Sequence, residues 1–522
     1  MPEELPLTIP RVVARAAEQY AAREALVDER ARVTFAELAP AVERAAAALV
    51  ATGVEPGDRI GIWAPNTTEW MVAALGVYAA GGVIVPLNTR FKGGEASYVL
   101  DRARASVLFT VTDFLDTNYV ELLATGDPVP SLRHTIVLRG EPATGTSGWE
   151  EFLSRADADH LATVRARVEH QRPDDLSDIL FTSGTTGRPK GAMLTHGASV
   201  RAYDAWSTVV GLRPGDRYLV VNPFFHAFGL KAGILASLIK GATVIPHAVF
   251  DVDTVMQRVV DEQVTMLPGP PTIFQSILDH PRASTFDMSS LRLAVTGAAS
   301  IPVELIRRMG TELGFETIVT GYGLTEATGI ATMCRHDDDP ETIATTAGRA
   351  IPGVEVRVVA DDGTPRAAGE PGEVVIRGYN VMQGFVDDET ATKEAIDADG
   401  WLHTGDVGVL DERGNLRITD RKKDMFIVGG FNAYPAEIEN MISDHPAVGQ
   451  VAVVGVPDER LGEVGCAFVV LRPDRTLTAD ELVAWCREKM ANYKVPRRVQ
   501  FVDGLPLNAS GKVLKYELRA RA

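Results

Sequence analysis

The sequence predicts an α/β protein of at least two domains, and three features of the chain carry this prediction. Its 522 residues are too many for a single hydrophobic core. Short apolar runs alternate with segments of helical spacing up to about residue 320, an order that indicates parallel sheets covered by helices. From about residue 350 short alternating strands with Gly turns follow, which indicates a smaller β unit.

Residues up to about 320 supply the predicted helices and parallel strands. Residues 8–50 are predicted to be helical, with an Ala-rich face at 45–49. Apolar runs at 59–63 and 82–87 flank a segment of helical spacing at 70–80, and a crossover of that length implies parallel pairing. The same theme recurs at 218–221, 228–240 and 242–246, with further strands predicted at 265–268, 291–295 and 317–320.

The last part of the chain is predicted to form a domain of its own. Alternating strands at 354–359, 373–377 and 415–418 are followed by a charged run at 420–424. Beyond that run lies a small α/β segment, and about 100 residues suffice for a separate domain. We therefore predict one domain at 1–420 and a second at 421–522.

Composition excludes several classes of protein. With 45% hydrophobic and 23% charged residues the chain has the composition of a soluble globular protein. A net charge of −18 argues against a nucleic-acid partner, and it requires that any polyanionic ligand meets local positive charge.

Three widely spaced cysteines give neither a disulfide framework nor a zinc site, which fits a cytoplasmic protein. The acidic segment 1–5 lacks the apolar core of a secretory signal, and no run of 18 apolar residues predicts a membrane span. The sequence leaves the oligomeric state open, a homodimer included.

The segment Thr182–Gly191 is the most informative part of the chain. It follows a predicted buried strand at 179–181 and contains three glycines, four hydroxyl side chains and Lys190. Exposed backbone N–H groups, hydroxyls and a compact cation suit a polyphosphate, although the spacing differs from that of the P-loop. A plain turn between two strands is the alternative, and the polar residues among the glycines disfavour it.

Four further segments carry side chains of the kind that bind ligands or take part in catalysis. They are Gly321–Glu326, Trp401–Asp406, Asp420–Glu439 and Pro506–Lys512. Each alone is weak evidence, because a core-edge Tyr, an Asx turn or a solvated Lys is the more frequent explanation.

Together and in this order, these segments and the loop resemble the adenylate-forming superfamily. This superfamily includes acyl-CoA synthetases, firefly luciferase and the adenylation domains of nonribosomal peptide synthetases. The resemblance covers residues from about 10 to 515, and it looks closest to bacterial ligases that activate ring-derived propanoates in steroid degradation. It implies a large N-terminal domain with α/β sheets plus a small β-barrel, and a small mobile C-terminal α+β domain.

The resemblance also implies a two-step reaction with ATP, Mg²⁺ and coenzyme A. A carboxylic acid attacks the α-phosphate of ATP to form an acyl-adenylate and pyrophosphate, and the thiol of CoA then displaces AMP. The acid is expected to be a ring-bearing propanoate or a medium-chain fatty acid. No protein nucleophile is needed.

The resemblance assigns roles in the first step to residues that match the motifs. The β- and γ-phosphates are expected to contact Thr182, Ser183, Gly184, Thr185, Thr186 and Lys190. The adenine is expected between Gly297, Ala298 and Ala299 on one side and Tyr322 with Gly323 on the other. Thr325 is expected at the α-phosphate, Glu326 and Thr182 at Mg²⁺, Asp406 at the ribose hydroxyls, and Arg421 at the ribose or phosphate side.

The second step is expected to need a movement of the small domain. Lys512 is expected to stabilise charge as pyrophosphate departs, and Lys423 to be the hinge. Gly429 and Gly430 would then line the tunnel for the pantetheine arm.

His226 matches the family's gate at the acyl pocket, and no acid lies in its motif to pair a substrate ammonium. Lys231 lies one turn further on; it is expected either to face the pocket and meet a polar group of a ring-bearing propanoate, or to point to solvent. The competing functions are an enzyme that loads a carrier protein, a luciferase-type oxygenase and a non-catalytic nucleotide-binding regulator.

Overall fold

The computed structural model describes residues 5–182, 189–297, 301, 303–360, 362–421, 426–506, 513 and 515–522. The strands are β1 (Glu24–Val27), β2 (Arg32–Thr34), β3 (Arg59–Trp63), β4 (Val83–Pro86), β5 (Val107–Val111), β6 (His134–Arg139), β7 (Ser147–Gly148), β8 (Leu176–Thr182), β9 (Lys190–Thr195), β10 (Arg217–Val220), β11 (Thr243–Pro246), β12 (Met266–Pro268), β13 (Leu293–Thr296), β14 (Thr317–Tyr322), β15 (Thr332–Met333), β16 (Arg349–Ala350), β17 (Val354–Val359), β18 (Gly372–Gly378), β19 (Gly384–Phe385), β20 (Leu402–Leu410), β21 (Leu416–Arg421), β22 (Phe426–Val428), β23 (Phe431–Ala433), β24 (Val448–Asp458), β25 (Gly462–Leu471) and β26 (Arg498–Phe501).

The α-helices are α1 (Ile9–Gln19), α2 (Phe35–Ala51), α3 (Thr68–Ala79), α4 (Gly93–Ala103), α5 (Tyr119–Leu123), α6 (Trp149–Leu153), α7 (Ala158–His170), α8 (His196–Val210), α9 (Ala236–Lys240), α10 (Val252–Glu262), α11 (Pro271–Leu278), α12 (Val303–Glu312), α13 (Pro340–Thr345), α14 (Glu389–Ala395), α15 (Pro435–Ser443), α16 (Ala479–Lys489) and α17 (Lys515–Arg521). A π-helix (Phe228–Leu235) precedes α9, and 3₁₀ turns lie at Ala283–Thr285 and Thr325–Ala327. No helix within the described ranges is long and apolar enough to span a membrane.

Two large sheets form the N-terminal part of the chain. One has the order β16-β15-β14-β13-β12-β10-β11-β1-β2 and the other β19-β9-β8-β4-β3-β5-β6-β7. The parallel pairing predicted for 59–63 with 82–87 and for 218–221 with 242–246 is present, with Ile60 opposite Ile84 and Tyr218 opposite Val244. The α/β class predicted from the alternating pattern is therefore confirmed.

The predicted Ala-rich face lies in a close contact between two helices. Ala45 to Ala48 on α2 are buried, and α3 is buried from Trp70 to its end. A Cβ at Gly76 of α3 would lie only 2.8 Å from the Cβ of Ala45, so a small residue is needed on both helices. This contact buries α3 between α2 and the eight-stranded sheet that contains β3 and β4.

The prediction that residues 8–50 are helical throughout was wrong. The hairpin of β1 and β2 separates α1 from α2, and β1 pairs in parallel with β11 of the nine-stranded sheet. The physical reason is tertiary, because the short run 24–27 gains its hydrogen bonds from a strand more than 200 residues away.

The remainder of the chain forms two smaller antiparallel units. The region predicted as a small β-barrel is a four-stranded sheet of order β17-β18-β20-β21. The C-terminal unit has the order β23-β22-β25-β24, with β26 parallel to β25. Its core, from Phe426 to Val495, is separate from the main core, which runs from Ile9 to Leu402. Separate cores support a domain boundary near residue 420, which stays a prediction.

Candidate active site

Thr182, at the start of the segment predicted to bind phosphate, meets the Gly321–Glu326 segment in space. Thr182, the last residue of β8, donates a hydrogen bond through Oγ1 to Oε1 of Glu326 at 3.0 Å, across 144 positions of sequence. The backbone carbonyl of Glu326 accepts from the N–H of Met382 at 2.8 Å, which fixes the 3₁₀ turn. The hydroxyl oxygen of Thr182 and the carboxylate of Glu326 are hard donors of the kind that Mg²⁺ takes, and they fit that ion. Within the described ranges no group of three His, Cys, Asp or Glu side chains forms a cation site, so phosphate oxygens would supply the remaining ligands.

Lys190 stands at the other side of the loop. It opens β9 and pairs with Thr182 in the antiparallel ladder, so the two residues lie opposite each other on neighbouring strands. Its ammonium lies 5.4 Å from the centre of the Phe385 ring. Ser183, Gly184, Thr185 and Thr186 lie outside the described residues.

Tyr322 and Asp406 form a second contact between distant segments. The Tyr322 hydroxyl, at the end of β14, donates to Oδ2 of Asp406 on β20 at 2.6 Å. Burial and the neighbouring carboxylate hold the pKa of Tyr322 well above its usual range, so the phenol keeps its proton. The bond orients the aromatic ring and the carboxylate together, and an aromatic face beside a charged acceptor suits a purine and a ribose.

The expected adenine segments lie at the same edge of the nine-stranded sheet. Thr296 at the end of β13 pairs with Thr320 of β14, so Gly297 and Tyr322 follow neighbouring parallel strands. Gly297 has φ +153°, a region that favours glycine. A Cβ at Gly323 would lie 2.4 Å from the Gly329 carbonyl, so only glycine permits this close approach. Ala298 and Ala299 lie outside the described residues.

His226 lies just before the π-helix with an exposed side chain. Its Nδ1 accepts a hydrogen bond from the Phe228 N–H at 3.2 Å, so neutral His226 carries its proton on Nε2. Asn66, which sequence reasoning missed, holds this segment. Its side chain donates to the carbonyls of Val220 and Asn222 at 3.1 and 3.0 Å and accepts from the Phe224 N–H at 2.7 Å. The only local signal was an Asn after Pro at the end of a predicted strand.

Lys231 neither points to solvent nor remains available to a substrate. Its side chain is 1% exposed, and its ammonium forms an ion pair with Asp178 and donates to Ser199 Oγ at 2.6 Å. Burial lowers its pKa below 10.5, and Asp178 opposes that effect. Both expectations for Lys231 were therefore wrong, because the partner carboxylate lies 53 positions earlier and no local pattern indicates it.

Asp178 is the second residue that sequence reasoning missed. It is fully buried on β8, four positions before Thr182 and on the same strand face. Tyr78 donates to its Oδ1 and Ser177 to its Oδ2, each at 2.5 Å. The network ties the strand of the phosphate loop to the π-helix that follows His226. The signal in the sequence was a single acid inside an apolar strand.

The Gly429–Gly430 turn of the C-terminal unit touches the N-terminal part. Both glycines have positive φ, +55° and +85°, and form the two-residue connection between β22 and β23. A Cβ at Gly430 would lie 3.8 Å from Cγ of Pro270. Arg421 pairs in register with Asp406 on the neighbouring strand. Lys423 and Lys512 lie outside the described residues.

Comparison with known proteins identifies the fold and family. Residues 13–386 match the AMP-binding enzyme family, and residues 437–512 match the C-terminal domain of the AMP-binding enzymes. The chain belongs to the AMP-binding enzyme family.

Two relatives match the chain over almost its whole length. A methyl-dioxo-octahydroindenyl-propanoyl:CoA ligase of Rhodococcus jostii is 51% identical over 521 residues, covering 99% of both chains. The ligase of the same name from Mycobacterium tuberculosis is 52% identical over 512 residues, covering 98% of both. A feruloyl-CoA synthase of Amycolatopsis is 40% identical over 499 residues, with 94% of both chains covered.

Solved structures of one enzyme in two complexes match to different degrees. The Bacillus subtilis o-succinylbenzoate CoA synthetase, as a double mutant bound with its product analogue OSB-NCoA, has TM-score 0.80 at 30% identity. The same synthetase with the acyl-adenylate OSB-AMP has TM-score 0.67 at 31% identity. Each comparison covers 98% of both chains.

These matches confirm three predictions from the sequence. They are the adenylate-forming superfamily, its two-part α/β architecture, and an AMP-forming acid–thiol ligase. Enzymes of this class use ATP, Mg²⁺ and CoA.

Proposed function

We propose that this protein joins a ring-bearing propanoate to coenzyme A with the cleavage of ATP to AMP and pyrophosphate. The observation that supports this most is the identity of 51–52%, over at least 98% of the chain, to two ligases named for a bicyclic diketo-propanoate. The contacts of Thr182 with Glu326 and of Tyr322 with Asp406 are consistent with a nucleotide between the phosphate loop and the β14 edge.

In the first step a carboxylate oxygen of the acid attacks the α-phosphorus, and the bond to the β-phosphate oxygen breaks. Pyrophosphate leaves with the electron pair. Lys190 and the loop would hold the β- and γ-phosphates, Thr325 would contact the α-phosphate, and Lys512 would stabilise the charge that develops. Glu326 and Thr182 would hold Mg²⁺, which when bound neutralises phosphate charge.

In the second step the thiol of CoA gives up its proton, its sulfur attacks the acyl carbon, and AMP leaves. The Gly429–Gly430 turn lies against Pro270, where its backbone would border the path of the thiol. The higher TM-score to the OSB-NCoA complex than to the OSB-AMP complex of one synthetase supports a domain arrangement suited to this step.

Recognition of the acid cannot use Lys231, because its ammonium is bound by Asp178 and Ser199. The part of the substrate other than the carboxylate would contact the segment after His226 and the β14 edge. Gly329 is packed closely there, since an added Cβ would lie 2.6 Å from the Tyr203 hydroxyl and 3.1 Å from Ala227 Cβ.

The direct test is a panel of acids in two assays. Pyrophosphate release without CoA measures adenylation, and mass spectrometry of CoA thioesters measures ligation. We expect both products with bicyclic diketo-propanoates, and less with medium-chain fatty acids and cinnamic acids. Adenylation without thioester would favour loading of a carrier protein, and nucleotide binding with neither product would favour a regulator.

The two steps are separated by a pair of variants. Lys512→Ala is expected to lose adenylation but still convert supplied acyl-adenylate to thioester, and Lys423→Pro is expected to do the reverse. Equal loss of both half-reactions in both variants would overturn the movement of the small domain.

We also propose a cytoplasmic location, which the three buried, unpaired cysteines support.

A further inference from the structure

Three charged side chains are buried where the two parts of the chain meet. Nζ of Lys494 lies 2.5 Å from Oε1 of Glu95 and 2.7 Å from Oε1 of Glu437. The side chains of Lys494, Glu95 and Glu437 are 2%, 6% and 3% exposed. Glu95 belongs to α4 of the N-terminal part, whereas Glu437 on α15 and Lys494 belong to the C-terminal part. We call this group the interdomain triad.

Aromatic rings surround the interdomain triad. The ammonium of Lys494 lies 5.0 Å from the centre of the Phe91 ring. Phe431, in the strand after the glycine turn, stacks on Tyr493 with 5.0 Å between ring centres, and the Arg90 guanidinium lies 4.4 Å from the Phe431 ring. Because these rings exclude water, an unpaired charge in this place would be costly.

Separation of the two parts would affect the two ion pairs differently. Lys494 and Glu437 move together, so their pair persists in any arrangement of the domains. The pair of Lys494 with Glu95 joins residues 399 positions apart and exists only while the domains are docked as here. Glu95 is therefore the member of the triad whose interactions depend on the arrangement.

Glu95 is held in place independently of Lys494. It is the third residue of α4, and its Oε2 accepts a hydrogen bond from the Lys92 N–H at 3.0 Å, as in a capping box. One oxygen fixes the side chain to its own helix while the other faces the partner domain. A carboxylate fixed in this way loses little conformational entropy when Lys494 docks.

The docked arrangement is the one in which the glycine turn lies against Pro270. It also resembles the OSB-NCoA complex of the B. subtilis synthetase more than the OSB-AMP complex of that synthetase. Both observations connect the Glu95–Lys494 pair with the second half-reaction.

We propose that Glu95 is a positioning residue for thioester formation, which it favours by pairing with Lys494 across the domain interface and holding the small domain in this arrangement. The inference rests on the proposed ligase function. Glu95 touches no reacting atom; it acts through the position of the glycine turn.

The test uses Glu95→Gln and a matched control. Glutamine keeps an acceptor for the Lys92 N–H but removes the charge that pairs with Lys494. Glu37→Gln is the control, because Glu37 caps α2 through Thr34 in the same way and is exposed. We expect Glu95→Gln to slow thioester formation from supplied acyl-adenylate at least about tenfold and to leave pyrophosphate release unchanged. Glu37→Gln should leave both unchanged.

Hydrogen exchange gives a readout that does not depend on activity. In Glu95→Gln, peptides that contain the β22–β23 turn and α4 should exchange faster, while those of β3 and β4 should not. Glu437→Gln, which keeps the Glu95–Lys494 pair, should retain slow exchange and thioester formation. An equal fall in both half-reactions, or no change in exchange, would overturn the positioning role of Glu95. If the wild type adenylates no acid, the proposed function fails, and the exchange data still decide whether Glu95 holds the domains together.

Discussion

Two buried lysines, Lys231 and Lys494, are paired with carboxylates in this protein, and they differ in what surrounds them. Lys231 and its partner Asp178 lie wholly within the N-terminal part, one positive charge against one negative charge. Lys494 has two carboxylate partners, Glu95 and Glu437, and one of them belongs to the other domain. The first pair can be broken only by unfolding, whereas the second is partly broken when two folded domains separate.

The comparison shows how the same chemistry serves two purposes. A buried ion pair inside a domain adds little net stability over apolar residues, but removal of one partner leaves a charge that no rigid motion can expose. At the interface, separation returns the unpaired group to water. The Lys231–Asp178 pair therefore stabilises the fold of the N-terminal part. The Lys494–Glu95 pair favours one arrangement of the two domains.

The largest effect is expected for Lys231→Met, which leaves Asp178 buried without its cation. We expect the free energy of unfolding to fall by about 3–5 kcal/mol, measured by urea denaturation. Lys240→Met is the control, since Lys240 forms a partly exposed pair with Asp204 and should cost less than about 1 kcal/mol. Equal losses in the two variants would show that the Asp178 pair does not stabilise the domain.

The next effect is a pH dependence that comes from His196, next to the Lys231 pair. Burial lowers its pKa to about 3, against 6.5 when exposed. Between these values the unfolded chain binds a proton that the folded chain excludes, so stability falls as pH drops below 6.5. The slope is about 1.4 kcal/mol per pH unit. Urea unfolding between pH 7 and pH 5 checks this, and His196→Gln should flatten that part of the profile.

A smaller loss of stability is expected for Lys494→Met. Domain separation lets water reach Glu95 and Glu437, so the free energy of unfolding should fall by only about 1–2 kcal/mol. Thioester formation should nevertheless fall more than in Lys231→Met. Lys393→Met, which removes an exposed lysine paired with Glu389, should change neither quantity. A stability loss equal to that of Lys231→Met would erase the distinction between the two clusters.

The smallest effect is a pH dependence of docking with the opposite sign. Burial raises the pKa of Glu437 above 4.5, with Lys494 opposing and Glu95 adding to the rise. The docked state therefore holds this proton more tightly. The contribution of protonated Glu437 to docking is complete below pH 4.5 and is lost as pH rises through the raised pKa of Glu437. Energy transfer between dyes on the two domains should show tighter docking as pH falls towards 4.5, and Glu437→Gln should remove that trend.

Sequence reasoning reached furthest where chemistry is concentrated in short segments. Thr182, Tyr322, Glu326 and Asp406 were expected at one site from the resemblance of their ordered motifs, and the structure brings Thr182 to Glu326 and Tyr322 to Asp406. Their roles in nucleotide binding stay predictions. Sequence reasoning failed where a residue's role depends on a distant partner. Lys231 looked like a residue of the acyl pocket because nothing near it in sequence indicates Asp178.

The sequence by itself determined the α/β class, because strand and helix periodicity and turn chemistry are local properties of the chain. The family and the segments expected to hold a nucleotide came from the resemblance of its ordered motifs to a known superfamily. Only the tertiary structure decided that 24–34 is a hairpin at a sheet edge, that Asn66 supports the His226 segment, and that Glu95 meets Lys494 across 399 residues. Burial and pairing over such separations depend on how the whole chain packs, and a local pattern carries no information about them.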